Sequence, residues 1–542
     1  MMPSNQTEAI SRSYYSKIVR FWPLLIPIII ILPGISEFPY PSEEALFSDI
    51  TIAHYPYTLF LKKSLFEQGL VPLWSPLILS GHPFAANPLS GLWYPPGWLA
   101  LLLPLPLGFN ILVILHILWG GIGMYLLVRA EGVTYKPALF AAIAFESLPK
   151  LYSHYGAGHL TLLYAVPWTP WLLLIANRKI IEGAKSFFQQ GIIFSLIILA
   201  DIRWAIYAGA IWWGYYLWKH IKGLDDKKNA NVKKSQSKKY PIFGLNISIW
   251  KKISSFGVAI SKLLTQTVLA LILSAPLILP LLEYVQLSTR SNLSQEEVLT
   301  YSLPPARLLG LIFPVFGGFH EWMLYPGAAV VVVSVVFLMF KKHSYHSKFY
   351  FWMAVFTLIL SLGSYIPGIS YIAGIPVFNL LRVPSRNLFL FGIVGILYSV
   401  HGIDFLMKDQ LDKKEKRRIF LALTAIVFFV IVLGLGVALV TGGLPLNFVW
   451  GSVAIFVLSV WLFLLLSHII PAQIWFLGLI GLGLFDWGIV NWFSFATRSK
   501  EEVLSERNAL ASYLSEKEGR FRIYSPSYSV PQHIASSYDL EL

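Results

Sequence analysis

Apolar runs close to the length of a membrane helix alternate with short basic clusters along nearly the whole chain. The first run, Phe21 to Ile35, follows Arg12, Lys17 and Arg20, and no small-residue cleavage pattern comes after it. It therefore reads as a retained span that leaves residues 1–20 as a cytoplasmic arm. Further runs cover 107–128, 137–148, 160–176, 191–200, 204–218 and 263–282, then one ending at Lys341 and Lys342. Beyond these come 349–362, 388–403, 420–440, 448–466 and 474–491. The pattern predicts an all-α polytopic membrane protein of about thirteen transmembrane helices. The basic clusters all fall on one side of it: Arg129 and Lys136, Arg178 and Lys179, the loop 219–252, Lys341 and Lys342, and Lys413 to Arg418. Positive charge marks the cytoplasmic side, so the N-terminus is expected inside and the C-terminus outside.

Most of the chain between spans lies on the opposite, outer side. A first outer loop, 36–96, is far longer than an ordinary connection and is rich in Pro, Gly and aromatic residues, which predicts interfacial helices. Outer segments 283–325 and 363–387 follow, so 21–494 forms one transmembrane domain. The tail 495–542 is polar. Ser499-Lys500-Glu501-Glu502 is a capping-box pattern that opens a helix to about Leu514, and Gly519 to Ser525 alternates like a short strand. The tail reads as the start of an outer soluble domain with too few residues for a core of its own. Either the chain stops short of that domain or the tail packs on the outer loops.

Composition agrees with lipid as the solvent. Of 542 residues, 56% are hydrophobic and 13% charged, against about a quarter charged in soluble domains. Net charge is +14, but the Lys and Arg residues, including Lys227, Lys228, Lys233, Lys234, Lys238 and Lys239, sit between apolar runs. They act as topology signals and do not mark a nucleic-acid surface. The absence of Cys excludes disulfides, thiolate metal sites and Cys nucleophiles. No Walker A, His-Glu-x-x-His or Gly-x-Ser-x-Gly motif occurs, and the broken symmetric helix pairs of secondary transporters are not evident.

The candidate chemistry gathers at the outer edge. Asp49, in Phe47-Ser48-Asp49-Ile50 with His54 and Tyr55 after it, is placed to act as a general base or to ligate a divalent ion. The alternative is a solvated loop acid like Glu43 and Glu44. Asp201 and Arg203 interrupt an apolar stretch, either as functional ionisable groups or as an ion pair between helix ends. His154 and His159 flank a Gly-Ala-Gly turn; their spacing is not the i, i+4 of helical metal ligands, and hydrogen-bonded interfacial histidines are the commoner case. Arg382 and Arg386 present two guanidiniums, whose planar forks suit phosphate, although interfacial anchoring is an equal alternative. Glu283 and Asp486 read as packing or helix-bridging groups.

Several stretches carry a family resemblance: Asp49, then Leu79-Ser80-Gly81-His82-Pro83-Phe84-Ala85-Ala86-Asn87-Pro88, then Leu92-Trp93-Tyr94-Pro95. Gly158-His159, Pro167-Trp168, Leu381-Arg382-Val383-Pro384-Ser385-Arg386 and Gly519-Arg520-Phe521-Arg522-Ile523-Tyr524 continue it in order. In these the chain resembles the YfhO-like family of bacterial membrane proteins, within the polytopic glycosyltransferases called GT-C. It departs from that family at Ala200-Asp201-Ile202-Arg203, where many relatives carry a Gly-His-x-Gln-like stretch.

The resemblance implies a GT-C-like fold in the plasma membrane with an active site on the outer face. It also implies a polyprenyl-phosphate sugar donor and a glycan, polymer or lipid of the cell envelope as acceptor. Asp49 matches the first-loop acid and would take the acceptor proton, in a displacement that inverts the anomer. Arg382, Arg386 and Arg203 would bind the donor phosphate. His54, Tyr55, His82, Asn87, His159 and Asp201 would line the substrate cavity, with Trp74, Trp93 and Tyr94 as its sugar-binding wall. No cofactor is certain. Members of the superfamily differ in metal use, so Mg2+ or Mn2+ on Asp49, Asp201 or His159 stays an open option. Two rival classes remain: a transporter or flippase of a lipid-linked sugar, and a non-catalytic envelope scaffold of the same fold.

Overall fold

The computed structural model describes residues 22–542 apart from 79, 178–183, 236–243, 289–292, 341–342, 375–381, 409–410, 506–507 and 526–528. The arm 1–20, Leu79, Arg178, Lys179, Lys238, Lys239, Lys341, Lys342 and Leu381 lie outside the described residues.

Seven helices among the described residues are long and apolar enough to cross a membrane: Leu107–Ala130, Leu160–Asn177, Ser254–Leu273, Pro384–Lys408, Lys413–Val440, Leu446–Leu466 and Ala472–Trp492. Run 204–218 lies within the long helix Ile202–Ser235, while several other expected runs take shorter or broken forms. Residues 137–148 fall in Tyr135–Glu146, 191–200 in Phe188–Ala200 and 349–362 in Tyr345–Ser361. The first expected span differs most, forming two 3-10 stretches, Trp22–Leu25 and Pro27–Gly34. Pro23, Pro27 and Pro33 explain this, since each removes a backbone donor and crowds the preceding turn.

Burial separates centre from rim. The most apolar stretches of Leu160–Asn177 and Pro384–Lys408 are 89% and 83% buried, against 17% for Lys413–Val440. The rim helices turn Phe428, Leu435 and Leu439 outward, where lipid tails replace protein as the apolar partner. At the centre, small residues let helices approach closely. A Cβ on Gly120 or Gly121 of Leu107–Ala130 would collide with the side chains of Phe145 and Glu146.

Polar groups tie the two ends of the bundle. At the end where Leu107–Ala130 finishes, Glu131 accepts hydrogen bonds from Tyr215 at 2.7 Å and from Tyr350, and meets His401 at 2.9 Å. At the other end Asn110 donates to the carbonyls of Ile35 and Glu37, both at 2.8 Å, and accepts from Tyr155 at 2.9 Å. Asp486 bridges helices by accepting from the Tyr325 hydroxyl at 2.9 Å, the Ala328 amide at 2.9 Å and the Trp450 indole at 3.0 Å. Glu283 is exposed, so the packing role expected of it has no support.

The first loop and the tail close over the Asn110 end. Phe38–Tyr40 pairs antiparallel with Ala496–Arg498, with Phe38 opposite Arg498 and Tyr40 opposite Ala496. Arg498 also donates to the carbonyls of Glu43 and Ala45 at 2.7 Å, which fixes the chain just ahead of Asp49. The loop carries the helix Tyr55–Phe66. The expected cap at Ser499 forms, its hydroxyl accepting from the Glu502 amide at 3.0 Å, and Lys500–Ser505 and Asn508–Ser515 follow. The strand expected at 519–525 is reduced to one bridge, Arg522 to Glu541. Ala511, Val530, Ile534, Ala535 and Leu540 form a small core of their own. This unit docks on the first loop, where Leu542 donates to the Leu77 carbonyl at 2.8 Å and Lys63 meets Asp539 at 2.6 Å.

Replacing Asp486 with Ala strands the buried Tyr325 hydroxyl, the half-buried Trp450 indole and one amide. We expect Asp486→Ala to lower stability by roughly 1–3 kcal/mol, read as a fall in melting temperature in detergent, with Asp486→Asn losing less. Equal melting of Asp486→Ala and wild type contradicts the bridging role.

Candidate functional site

The site is organised by a turn between two helices. Pro149 starts the helix Pro149–Ala157 in its first turn, where a missing amide costs nothing. Gly158 ends it in the left-handed region, φ +82° and ψ 18°, and the His159 amide returns to the His154 carbonyl at 3.0 Å. The chain re-enters a helix at Leu160. Although five residues apart, His154 and His159 are thereby brought together, with ring centroids 5.1 Å apart.

Gly158 also receives the first loop. A Cβ there would lie 2.5 Å from the Ile50 amide nitrogen, 2.6 Å from Ser48 Oγ and 2.8 Å from the Asp49 amide nitrogen. Only glycine permits both this φ and this approach. The packing sets Asp49 Oδ2 3.3 Å from His159 Nε2, while the Asp49 side chain stays 48% exposed.

A second loop supplies the floor. His320–Trp322 places the His320 ring 5.1 Å from that of His154 and 4.7 Å from that of His159. Buried Glu321 is a hub. Its Oε2 faces His154 Nε2 at 3.3 Å and Lys150 Nζ at 3.8 Å, and its Oε1 accepts from Arg386 Nε at 3.2 Å. Lys150 donates to the backbone carbonyls of Glu321 at 2.6 Å and His320 at 3.2 Å, pinning that loop.

Asp201 and Arg203 complete the rim, where one helix ends at Ala200 and the next begins at Ile202. Asp201 Oδ1 caps the second helix, accepting from the amides of Arg203 at 2.9 Å and Trp204 at 3.1 Å. Arg203 donates to both carboxylate oxygens, at 3.1 and 2.6 Å, and Thr161 donates to Oδ2 at 2.8 Å.

Burial and charge set the protonation states. Burial raises the Asp49 pKa above the ordinary carboxylate value, against the pull of Arg203 and Arg386. Burial pushes His154 down to about 4 and His320 to about 3, and holds His159 well below its usual value, so all three rings are neutral near pH 7. Burial alone would raise Glu321, but the charge of Arg386 foremost, with Lys150, outweighs it and holds Glu321 well below the usual carboxylate range. Lys150 falls to about 7, chiefly through burial.

Of the residues expected from sequence, Asp49, His159, Asp201, Arg203 and Arg386 converge here. His54 lies buried one turn beyond Asp49 and lines a cavity of about 50 Å³ with Tyr94, Thr161 and Tyr164. Tyr55 packs edge-on against Phe38 at 5.3 Å. His82 and Asn87 serve the loop's own packing. His82 sits against Tyr57 and Phe84, and Asn87 Oδ1 accepts from the Leu89 amide at 2.9 Å. Arg382 stands apart, exposed, with its charge acting on Glu297. Of the expected aromatic wall, Trp74 is exposed, whereas Tyr94 is locked between His116 at 2.6 Å and Trp168 at 2.9 Å. Lys150, His320 and Glu321 were missed. The one available signal was a His-Glu pair after Gly317-Gly318-Phe319 in the second outer segment.

The sequence model described as "Bacterial membrane protein YfhO" matches residues 240–526, more than half of the chain. The chain belongs to the YfhO family. No curated protein matches it. Among solved structures, it is similar to ArnT from Cupriavidus metallidurans bound to undecaprenyl phosphate, at 11% identity, with 97% of this chain and 85% of that one covered and a TM-score of 0.46. The apo state of the same protein aligns at 12% identity, covering 98% of this chain and 86% of that one, with a TM-score of 0.43. This YfhO-family chain is a membrane protein.

Gly158→Ala forces a side chain into a left-handed position already filled by the first loop. The expected cost is roughly 1–3 kcal/mol of stability, seen as a lowered melting temperature and faster proteolysis within the first loop. An unchanged digestion pattern contradicts docking of that loop on Gly158.

Proposed function

We propose that this protein is a membrane glycosyltransferase of the GT-C type, which transfers a sugar from a polyprenyl-phosphate donor to a cell-envelope glycan, polymer or lipid. The observation that carries the reading is a half-exposed carboxylate, Asp49, at a site that also contains two guanidiniums, Arg203 and Arg386. A base and a phosphate-binding group beside one another are what displacement at a phosphate-linked anomeric carbon requires.

In this reading the acceptor hydroxyl attacks the anomeric carbon as the bond from that carbon to the phosphate oxygen breaks. Asp49 Oδ1 receives the hydroxyl proton, while the lipid phosphate leaves with the bonding electron pair. The partly desolvated carboxylate has a raised pKa, which makes it a stronger base once ionised. Arg203 and Arg386 stabilise the charge growing on the departing phosphate. Arg382 drops out of the phosphate set because it stands apart from the cluster. One carboxylate suffices, since a phosphate leaves without protonation, and the single displacement inverts the anomer. The basic clusters favour a cytoplasmic Glu131 end, and in this reading the reaction belongs to the outer face of the plasma membrane.

Asp49→Asn keeps the shape and the contact with His159 but removes the base. Sugar transfer by the purified variant should fall by roughly 10²- to 10⁴-fold, with expression and melting temperature close to wild type. Full activity in that variant would end the assignment.

A further inference from the structure

Three imidazoles and a carboxylate converge beside Asp49. The ligand atoms offered by His154, His159, His320 and Glu321 all lie within 4.8 Å of one another. Hydrogen bonding assigns the tautomers. The Lys150 carbonyl can only accept, so His154 Nδ1, 3.0 Å away, carries the proton of the neutral ring. His154 Nε2 then points a lone pair at Glu321 Oε2 from 3.3 Å, acceptor against acceptor. His159 Nε2 faces Asp49 Oδ2 at 3.3 Å, so a proton on that nitrogen would point toward the carboxylate. That leaves His159 Nδ1 buried as a lone pair with no partner among the described residues.

The charge balance points the same way. Arg203 is paired with Asp201 and Arg386 with Glu321, while Asp49 has only the neutral His159. Two guanidiniums therefore face three carboxylates. Lys150, the one further cation of the cluster among the described residues, points its ammonium at the backbone carbonyls of Glu321 and His320. An arriving phosphate would meet little net positive charge.

We propose that this cluster binds one divalent transition-metal ion, zinc by preference, through His154 Nε2, His159 Nδ1, a ring nitrogen of His320 and a carboxylate oxygen of Glu321. Imidazole-rich sets suit zinc, whereas Mg2+ takes oxygen ligands in octahedral geometry. The ion and its ligands thus differ from the Mg2+ or Mn2+ on Asp49 and Asp201 that the sequence left open; only His159 is common to both. Ligands around tetrahedral zinc stand roughly 3.4 Å apart, so the four side chains must close by at most about 1.4 Å on binding. Asp49 becomes the outer partner of a carboxylate–histidine–metal relay, which fixes the His159 tautomer. Metal binding stands on this geometry alone. Its task, adding positive charge beside Arg386 for the donor phosphate, rests on the transferase reading.

The test uses the full-length protein in detergent, stripped with a chelator, incubated with Zn2+ or Mg2+, desalted and assayed by plasma mass spectrometry. Wild type should retain about one zinc ion per chain, no magnesium, and a melting temperature raised by zinc. Co2+ in place of zinc should give the visible absorption of a tetrahedral site. His320→Gln, a change at a half-buried loop position, should lose the ion and the cobalt spectrum while melting like stripped wild type. Wild type that stays metal-free, or His320→Gln that holds zinc as tightly as wild type, overturns the site. Polyprenyl phosphate binding that is equal in stripped and zinc-loaded protein leaves the site standing and overturns its task at the donor.

Discussion

Gly158 adopts φ +82° with the backbone of Ser48–Ile50 lying where a side chain would otherwise project, and the whole loop-rich end of the bundle depends on that contact. It joins two segments more than a hundred residues apart in sequence. The same turn folds His154 and His159 onto one another and sets His159 against Asp49. Asn110, the strand pair Phe38–Tyr40 with Ala496–Arg498, and Arg498 on the carbonyls of Glu43 and Ala45 hold the first loop from its other side. These contacts fix the chain on both sides of Asp49.

The second organising fact is the density of ionisable groups within an apolar bundle. Burying a charge is costly unless it is paired and hydrogen-bonded. Glu321 meets that condition through Arg386 and Lys150, and Asp201 meets it through Arg203, Thr161 and two helix amides. Asp49 is the exception. It is half exposed, with one oxygen on a neutral histidine and the other uncommitted. A group left under-satisfied while its neighbours are over-determined is where binding and chemistry are expected to take place.

Asp201 and Arg203 stood out in the sequence as polar residues within an apolar stretch, whereas Asp49 and His159 were singled out by their place in the loops together with the family resemblance. Their grouping was not legible, since it depends on contacts between segments far apart in the chain. Arg382 and Arg386 occur in one tract and looked equivalent. A positive φ of 69° at Val383 and the 3-10 turn Pro384–Arg386 separate them, sending Arg386 into the bundle and leaving Arg382 outside. Lys150 resembled any lysine near a span end, and His320-Glu321 lay in a loop without periodicity, so nothing local marked either. The helical class was plain from hydropathy. The count of spans was less so, because helices such as Tyr135–Glu146 are enclosed by protein and need not match the thickness of lipid.

The central claim is that Asp49 and the two inward-facing guanidiniums share one ligand. The most direct measurement is a cryo-electron microscopy map of the purified protein with polyprenyl phosphate bound. The account predicts phosphate density within hydrogen-bonding distance of both Arg203 and Arg386, on the side facing Asp49, with the lipid leading away between helices. Phosphate density at the Glu131 end of the bundle, or on the outer surface beside Arg382, would contradict it.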